Sequence, residues 1–247
     1  MYCTEKLLTV DIDLYLHVRE KEGRLYSDDV VAQLPRMRNG DSLADEWRAR
    51  SVSASRLTQY LLRRPNLHSI LDLGCGNGWL SKLLSTLGRR VMGVDQNRYE
   101  LKQAARVFSP NPCLCFIETN IFSAPFVAGT FDVILLASVI QYFPELSALL
   151  GMLLRYLKPH GEIHIMDSPL YSDAELQAAV HRSQQYYSSL GFPEMARHYF
   201  HHRFSELDRF DAKWLYRPRS HIFRLKRLVD RPDSPFPWIM IRRQDVK

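Results

Sequence analysis

The stretch LDLGCGNGWL, residues 71–80, sets Asp72 just ahead of three glycines, Gly74, Gly76 and Gly78. It follows an apolar run that reads as a strand and leads into one that reads as a helix, the setting in which a glycine-rich turn cradles a ligand. Glycine permits the tight turn and lets a ligand approach the backbone closely. A dinucleotide fingerprint, G-x-G-x-x-G, would need its last glycine at Trp79. An indole there hinders helix–strand packing and the approach of a pyrophosphate. A P-loop is excluded, since no Gly-Lys-Ser/Thr follows. A second carboxylate, Asp95, closes the next apolar run in VMGVDQN, where an acid suits the two hydroxyl donors of a ribose. Asp72 beside the turn suits a ligand with cationic character, because two carboxylates would repel a diphosphate.

Regular alternation of strands and helices must position these groups. SILDLG, RVMGVD, CLCFIET, FDVILLAS and GEIHIMDS read as strands, the fourth apolar on both faces as a central parallel strand should be. WLSKLLSTLG, RYELKQAARVF and ELSALLGMLLRYL read as helices between them, with Gly88 after the first and Pro159 stopping the third. Upstream, Leu43, Trp47, Val52, Leu57, Tyr60 and Leu61 give an amphipathic helix over 43–63, ended by Pro65. Downstream, Ser172 and Glu175 form a capping box that opens a helix over 173–190. HIFRLKRL and WIMIRR read as a terminal antiparallel pair. The alternation implies an α/β doubly wound parallel sheet with helices on both faces, which binds ligands at the carboxyl ends of its strands near the topological switch point.

Bulk properties agree with such a domain. The chain has 247 residues, 46% of them hydrophobic, enough for one large domain or one domain with a cap. It has no run of about 18 uncharged apolar residues, so no membrane span is expected. The first residues lack a basic segment ahead of their apolar ones, which argues against a signal peptide and for a cytoplasmic protein. Four cysteines without a CxxC spacing make neither a disulfide framework nor a zinc site, and no metal is expected. The net charge of +6 arises mostly after residue 197. It could attract an anionic substrate or nucleic acid, although a solvated surface with a basic C-terminal hairpin accounts for it.

Taken in order, ILDLGCGNGWLSKLL, VMGVDQN, ETNIFSAPF, FDVILLASVIQYF and LKPHGEIHIMDS resemble the class I S-adenosylmethionine (SAM)-dependent methyltransferases, over about residues 68–170. The resemblance implies a Rossmann-like, mostly parallel seven-stranded sheet whose last strand is antiparallel. It divides the chain into an N-terminal helical cap, 1–64, and a methyltransferase domain, 65–247, with an acceptor-side lid insertion at about 172–221. It implies SAM as cofactor. Gly74, Cys75, Gly76 and Gly78 would surround its methionine part, Asp95 would hold the ribose, Asn120 and Ile121 would flank the adenine, and Ala137 would end the fourth strand beside it; Asp72 and Gln96 are further candidates for binding the cofactor. The family often carries Asp where Asn120 stands, and an asparagine still accepts from the adenine amine.

The methyl group of a sulfonium is already activated, so such a protein chiefly excludes water, aligns an acceptor and removes a proton. The segment LASVIQYFP lacks the Asn/Asp-Pro-Pro-aromatic motif of amino methylases of DNA bases and resembles small-molecule methyltransferases. Tyr142 and Phe143 read either as pocket border or as core. Asp167 and Ser168 close the fifth strand, where acceptors bind, with Tyr171 just beyond. Asp167 is a candidate base or orienting group, the alternative being ordinary turn chemistry. Residues 181–221 are rich in His, Tyr and Arg, and His201 and His202 are candidate general bases or incidental histidines of a polar lid. In the N-terminal segment, which holds Arg19 and Arg24 as well, Tyr26 and Arg50 are candidates for carboxylate or acceptor contacts, and Trp47 for helix packing. The leading reading is methyl transfer to a small-molecule or biosynthetic-intermediate acceptor. An RNA or protein methyltransferase, for which the aromatic–basic third would stack bases or hold phosphate, and a non-catalytic SAM-binding protein are the alternatives. The glycine spacing disfavours an NAD-dependent oxidoreductase.

Overall fold

The computed structural model describes residues 11–38, 40–124, 126–218 and 233–243. The apolar runs become the strands β1 (Ser69–Leu73), β2 (Arg90–Asp95), β3 (Leu114–Glu118), β4 (Phe131–Ala137), β5 (Leu157–Met166), β6 (Ala212–Tyr216) and β7 (Trp238–Arg242) of one sheet. Their order is β3-β2-β1-β4-β5-β7-β6. The first five pair in parallel, and β7 runs antiparallel between β5 and β6. This is the Rossmann-like sheet expected, antiparallel last strand included.

Period-two alternation divides the core between the two faces of the sheet. Leu71, Leu73, Ile134, Leu136, Ile163, Ile165, Ile239 and Ile241 pack together with α6 (Leu146–Tyr156). Ile70, Val133, Leu135, Met166 and Trp238 pack with α3 (Ala44–Leu62) and α4 (Trp79–Ser85). Helix α6 meets its face through Leu146, Leu149, Leu150 and Leu153, all fully buried and spaced as one stripe. Each such leucine contributes about 1.5–3 kcal/mol. On α5 (Arg98–Phe108), the Asn97 side chain caps the first turn by accepting from the N–H groups of Tyr99 and Glu100. Among the described residues, no helix is long and apolar enough to cross a membrane.

The remaining helices build a roof. Val18 of α1 (Ile12–Lys21), Tyr187 of α7 (Asp173–Leu190) and Met195 form a small core of their own. Tyr186 of α7 donates to Glu22 at 2.6 Å. Helix α7 starts where the capping pair places it, with Glu175 accepting from the Ser172 N–H at 3.0 Å and from its hydroxyl at 2.6 Å. Between α1 and α3 lies the short α2 (Asp28–Gln33), whose first residue Asp28 binds Arg106 of α5.

Three boundaries differ from expectation. WIMIRR does form β7, but its partner is Ala212–Tyr216, inside the stretch assigned to the lid; HIFRLKRL (221–228) lies outside the described residues. The basic and aromatic composition masked a period-two run in which Ala212, Trp214 and Tyr216 are less exposed than Lys213 and Leu215. β5 begins at Leu157 rather than after Pro159, because a register shift opposite Phe131 and Val133 accommodates the proline-containing start. Helix α4 ends at Ser85, short of Gly88.

Arg89 joins the N-terminal helices to the sheet. It is buried just before β2, and its guanidinium donates to the carbonyls of Leu61 and Pro65 at 2.9 Å and of Arg64 at 3.3 Å, beyond the end of α3. The Leu61 and Arg64 carbonyls also accept from the Arg64 and Leu67 N–H groups, so the guanidinium adds a second donor to each, and a cation there meets the negative end of the helix dipole. Arg89→Met is therefore expected to lower the free energy of unfolding in urea by about 1.5–3 kcal/mol, the scale of losing charge-assisted hydrogen bonds. Arg89→Lys, with one donor centre in place of a fork, should recover only part of it.

Candidate functional site

The turn after β1 is built by backbone contacts to β2. The N–H groups of Gly74 and Cys75 donate to the Val94 carbonyl at 2.7 and 3.2 Å. Gly76 has φ +50° and donates its N–H to Asp95 at 2.8 Å, while the other oxygen of Asp95 accepts from the Asn97 N–H at 2.9 Å. A carboxylate has about four acceptor positions, so Asp95 keeps capacity for a ligand hydroxyl. A Cβ on Gly74 would lie 2.1 Å from Val139, which presses the turn against the exit of β4.

This turn opens into a cavity of about 1040 Å³ at the carboxyl ends of β1, β2, β4 and β5. Of the residues named from sequence, Asp72, Gly74, Cys75, Gly76, Asp95, Gln96, Ile121, Ala137, Asp167, Tyr26, Arg50, Tyr142 and Tyr171 all line it. Phe143 and Trp47 line it as well. Five of the named residues stand elsewhere. Gly78 packs towards β3, where a Cβ would meet the Phe116 ring at 2.6 Å. Asn120 is outside the cavity wall, and its side-chain oxygen accepts from the Phe122 N–H at 3.0 Å, an Asx turn that Thr119 and Ile121 flank on the cavity side. Ser168 is fully buried, its hydroxyl on the Met166 carbonyl at 3.3 Å.

The histidines are also behind the wall. His202 is 3% exposed, with Nε2 2.9 Å from the Ile140 carbonyl and Nδ1 3.4 Å from Glu206. It struts the turn after β4 against the returning chain rather than facing a ligand. His201 contacts the Ser183 hydroxyl at 2.8 Å and stacks near Tyr171 and Tyr199 at 5.6 and 5.2 Å. Ser183, Tyr171 and Tyr199 line the cavity, so His201 supports wall residues from behind, and burial lowers its pKa.

Asp167 is better placed. It lines the cavity with φ +50°, next to Ser138 at φ +56° on the neighbouring strand end. The Ser138 hydroxyl donates to the Asp167 carbonyl at 2.7 Å. Ser53 of α3 and Ser234 donate to one oxygen of the Asp167 carboxylate at 2.7 and 2.9 Å. Burial raises its pKa, against the hydrogen bonds from the serines and the nearby Arg50. Arg50 itself is engaged. It shares Glu46 with Arg24, and although burial works against the charge, the two arginines hold the Glu46 carboxyl down at about 2. Tyr26 accepts from the Trp47 indole at 2.9 Å, and Trp47 stands edge-on to Trp79 at 5.4 Å, which is where the third glycine of a dinucleotide motif would be.

The turn end of the cavity is strongly acidic. Burial raises Asp72 to about 6 although Ser81 donates to it, and raises Glu100 to about 7, with Asp95 adding to the effect. Burial raises Asp95 too. Glu100 escaped the sequence reading because it sits in the first turn of α5, where an acid is ordinary helix chemistry; in the fold its carboxylate lies about 3.5 Å from the Cβ position of Gly76 and accepts from the Asn97 amide at 2.8 Å. Tyr15 and Glu22 of the N-terminal segment, Gln141 after β4, and Arg182, Tyr186, Tyr187 and Tyr199 of the insertion also line the cavity. The i, i+4 spacing of Tyr15 and Arg19 on one face of α1 was the available signal for the first of these.

Residues 71–165, which carry the turn, Asp95 and the β4 exit, match the family model described as methyltransferase domain. Over these residues the chain is similar to that domain. Beyond it, the chain is 30% identical over 116 residues to the demethylmenaquinone methyltransferase of Lactococcus lactis, which covers 43% of this chain and 46% of that protein. It is 31% identical over 125 residues to the malonyl-[acyl-carrier protein] O-methyltransferase of Erwinia billingiae, which covers 50% of this chain and 47% of that protein. The chain thus spans about half the length of these curated relatives. The crystal structure of the plantazolicin methyltransferase BpumL, in complex with a monoazolic desmethylPZN analog and SAH, aligns over 94% of this chain and 97% of that one. The TM-score is 0.55 at 19% identity, so the likeness is one of fold.

The charge of Glu100 carries a stability cost that depends on pH. Its folded pKa of about 7 lies above the ordinary 4.5, so its favourable contribution is complete below pH 4.5 and is lost as pH rises towards 7. Glu100→Gln, which can still accept from Asn97, should raise the melting temperature of the ligand-free protein at about pH 8. The gain should shrink to nothing in acid. Equal melting temperatures at both ends of a pH series would place the charge elsewhere.

Proposed function

We propose that the protein is a cytoplasmic SAM-dependent methyltransferase that transfers a methyl group to a small-molecule or biosynthetic-intermediate acceptor. One observation carries the reading: the glycine turn and the Asp95 carboxylate open into the same roofed cavity that the tyrosines of α1, α7 and the β4 exit line. The residues fit the cofactor. Gly76 leaves the turn open where its Cβ would meet only the Glu100 carboxylate, at ordinary contact distance. Asp95 has acceptor positions to spare for ribose hydroxyls, and Leu73, Ile121, Val139 and Phe143 give apolar wall for a base. Asp72, Asp95 and Glu100 make an anionic surround that favours a cation over a diphosphate.

Bound there, SAM supplies an activated methyl group on a sulfonium centre. The chain's own part is to exclude water beneath α1 and α7, to hold the acceptor in line, and to receive its proton. Asp167, with raised pKa and one oxygen fixed by two serines, would take that proton or orient the group that loses it. The relatives that methylate menaquinone precursors and carrier-bound malonyl groups support a biosynthetic acceptor. The roof supports a small molecule in preference to RNA or a protein, since a polymer would have to pass between the helices.

Calorimetry is expected to show binding of SAM and of its demethylated product S-adenosylhomocysteine (SAH), and none of NAD. Asp95→Ala should weaken SAH by about 1.5–3 kcal/mol, the scale of charge-assisted hydrogen bonds. An unchanged affinity in the folded variant would remove Asp95 from the site. A second expectation follows from the acidic turn. SAM carries the sulfonium charge that SAH lacks, and a cation binds the ionised forms of Asp72 and Glu100, which titrate at about 6 and about 7. The affinity ratio of SAM to SAH should therefore rise with pH across that window, with proton release on SAM binding. A flat ratio would separate these carboxylates from the sulfonium.

A further inference from the structure

We propose that the methyl acceptor is an aromatic hydroxyl compound, held with its ring among the tyrosines of the roof and its O–H donating to the Gln141 side-chain oxygen until the methyl group arrives, when the proton, which a neutral amide cannot take, passes to the Asp167 carboxylate. The proposal rests on the methyltransferase reading and names the substrate class of that same cavity. Gln141 follows β4, is 7% exposed and forms part of the cavity wall. Its amide nitrogen donates to the Ser138 carbonyl at 2.7 Å, which fixes the orientation of the group, since the flipped amide would set two oxygens against each other. Its Oε1 makes no hydrogen bond within normal distance among the described residues, and the neighbouring polar group is the Tyr142 hydroxyl, which interacts with the same amide. A buried acceptor left without a donor is costly, and here the cavity is where a donor would come from.

The rings around it define the shape of that donor. Tyr142, the next residue, stands nearly perpendicular to Tyr15 at 5.6 Å and to Tyr199 at 6.2 Å. Tyr199 is tied to Gln141 through the Phe200 N–H, which donates to the Gln141 carbonyl at 2.7 Å, and it approaches Tyr187 at 5.9 Å. Rings in edge-to-face contact offer both faces and edges, which suits a flat aromatic guest. The charge beside them selects the polar group. Arg19 lies 5.4 Å over the Tyr15 ring, pairs with Glu22 at 3.2 Å and has an Nε without a hydrogen-bond partner. That Nε–H is a donor to spare for the acceptor's oxygen as it gains negative charge.

Isothermal titration tests this with three probes on the SAH complex: 2-naphthol, 2-methoxynaphthalene, which lacks the donor, and decahydro-2-naphthol, which lacks the aromatic ring. 2-Naphthol should bind at least about tenfold more tightly than either, the discrimination expected when a site built for a hydroxyl meets an analogue without one. Gln141→Met keeps the length and removes the acceptor; it should abolish the preference for 2-naphthol over the methyl ether and leave SAH affinity unchanged. The comparison in the unmodified protein stands if that variant does not fold. With SAH bound, equal affinities for 2-naphthol and its methyl ether, a preference that survives in Gln141→Met, equally tight decahydro-2-naphthol, or no binding of 2-naphthol would each overturn the proposal and leave the cofactor reading intact. Failure to bind SAH would instead overturn that reading, and this proposal with it.

Discussion

The cavity exists because β1 and β4 are parallel neighbours whose continuations leave the sheet on opposite faces. After β1 the chain turns into α4, which packs with α3 on one face; after β4 it turns towards α6 on the other. Two adjacent strand ends that part in this way must open a crevice between them. The closeness of the two exits then constrains the turn: with Val139 where it is, position 74 has no room for a side chain. The cavity-facing backbone of Gly76 is thereby held at the mouth of the crevice, and Asp95 on β2 anchors it from the side.

Such a crevice is costly to maintain. Asp72, Asp95 and Glu100 are raised by burial, and Ser138 and Asp167 both occupy the left-handed region that non-glycine residues rarely adopt. Strain and desolvated charge at one place are typical of a site shaped for a ligand rather than for stability. The two full cores on either side of the sheet hold them in place. The hydroxyls of Ser81, Ser53 and Ser234 and the backbone N–H groups on Asp95 offset part of the cost of the buried carboxylates.

The roof has a different physical origin. Its core is small, and it is formed by Val18, Tyr187 and Met195 from segments far apart in the chain. The Tyr186–Glu22 hydrogen bond adds a polar link between α1 and the insertion. What had been read as two separate features, an N-terminal cap and an acceptor-side lid, thus meet as one cover. Their aromatic side chains serve both as this core and as the wall of the cavity beneath it, as Tyr187 does.

Local pattern by itself determined the five parallel strands and β7, the helices that alternate with them, the glycine turn and the acid at the end of β2. Each of those depends on period, turn chemistry or a strand end, and each is legible within about ten residues. The same kind of reading put Gly78, Asn120, Ser168, His201 and His202 in a site whose cavity they do not line, because residue type says what a group is able to do but not which way its backbone turns it. Gln141 and Glu100 were hidden in an ordinary apolar stretch and an ordinary helix turn, and only the crevice gives them a face. β6 was taken for lid because its composition outweighed a run of five residues, and its place in the sheet required β7 as partner. The tertiary structure alone decided which aromatic residues share the cavity and that α1 and α7 cover it, since the Tyr186–Glu22 contact joins residues more than 150 positions apart and no local rule reaches so far.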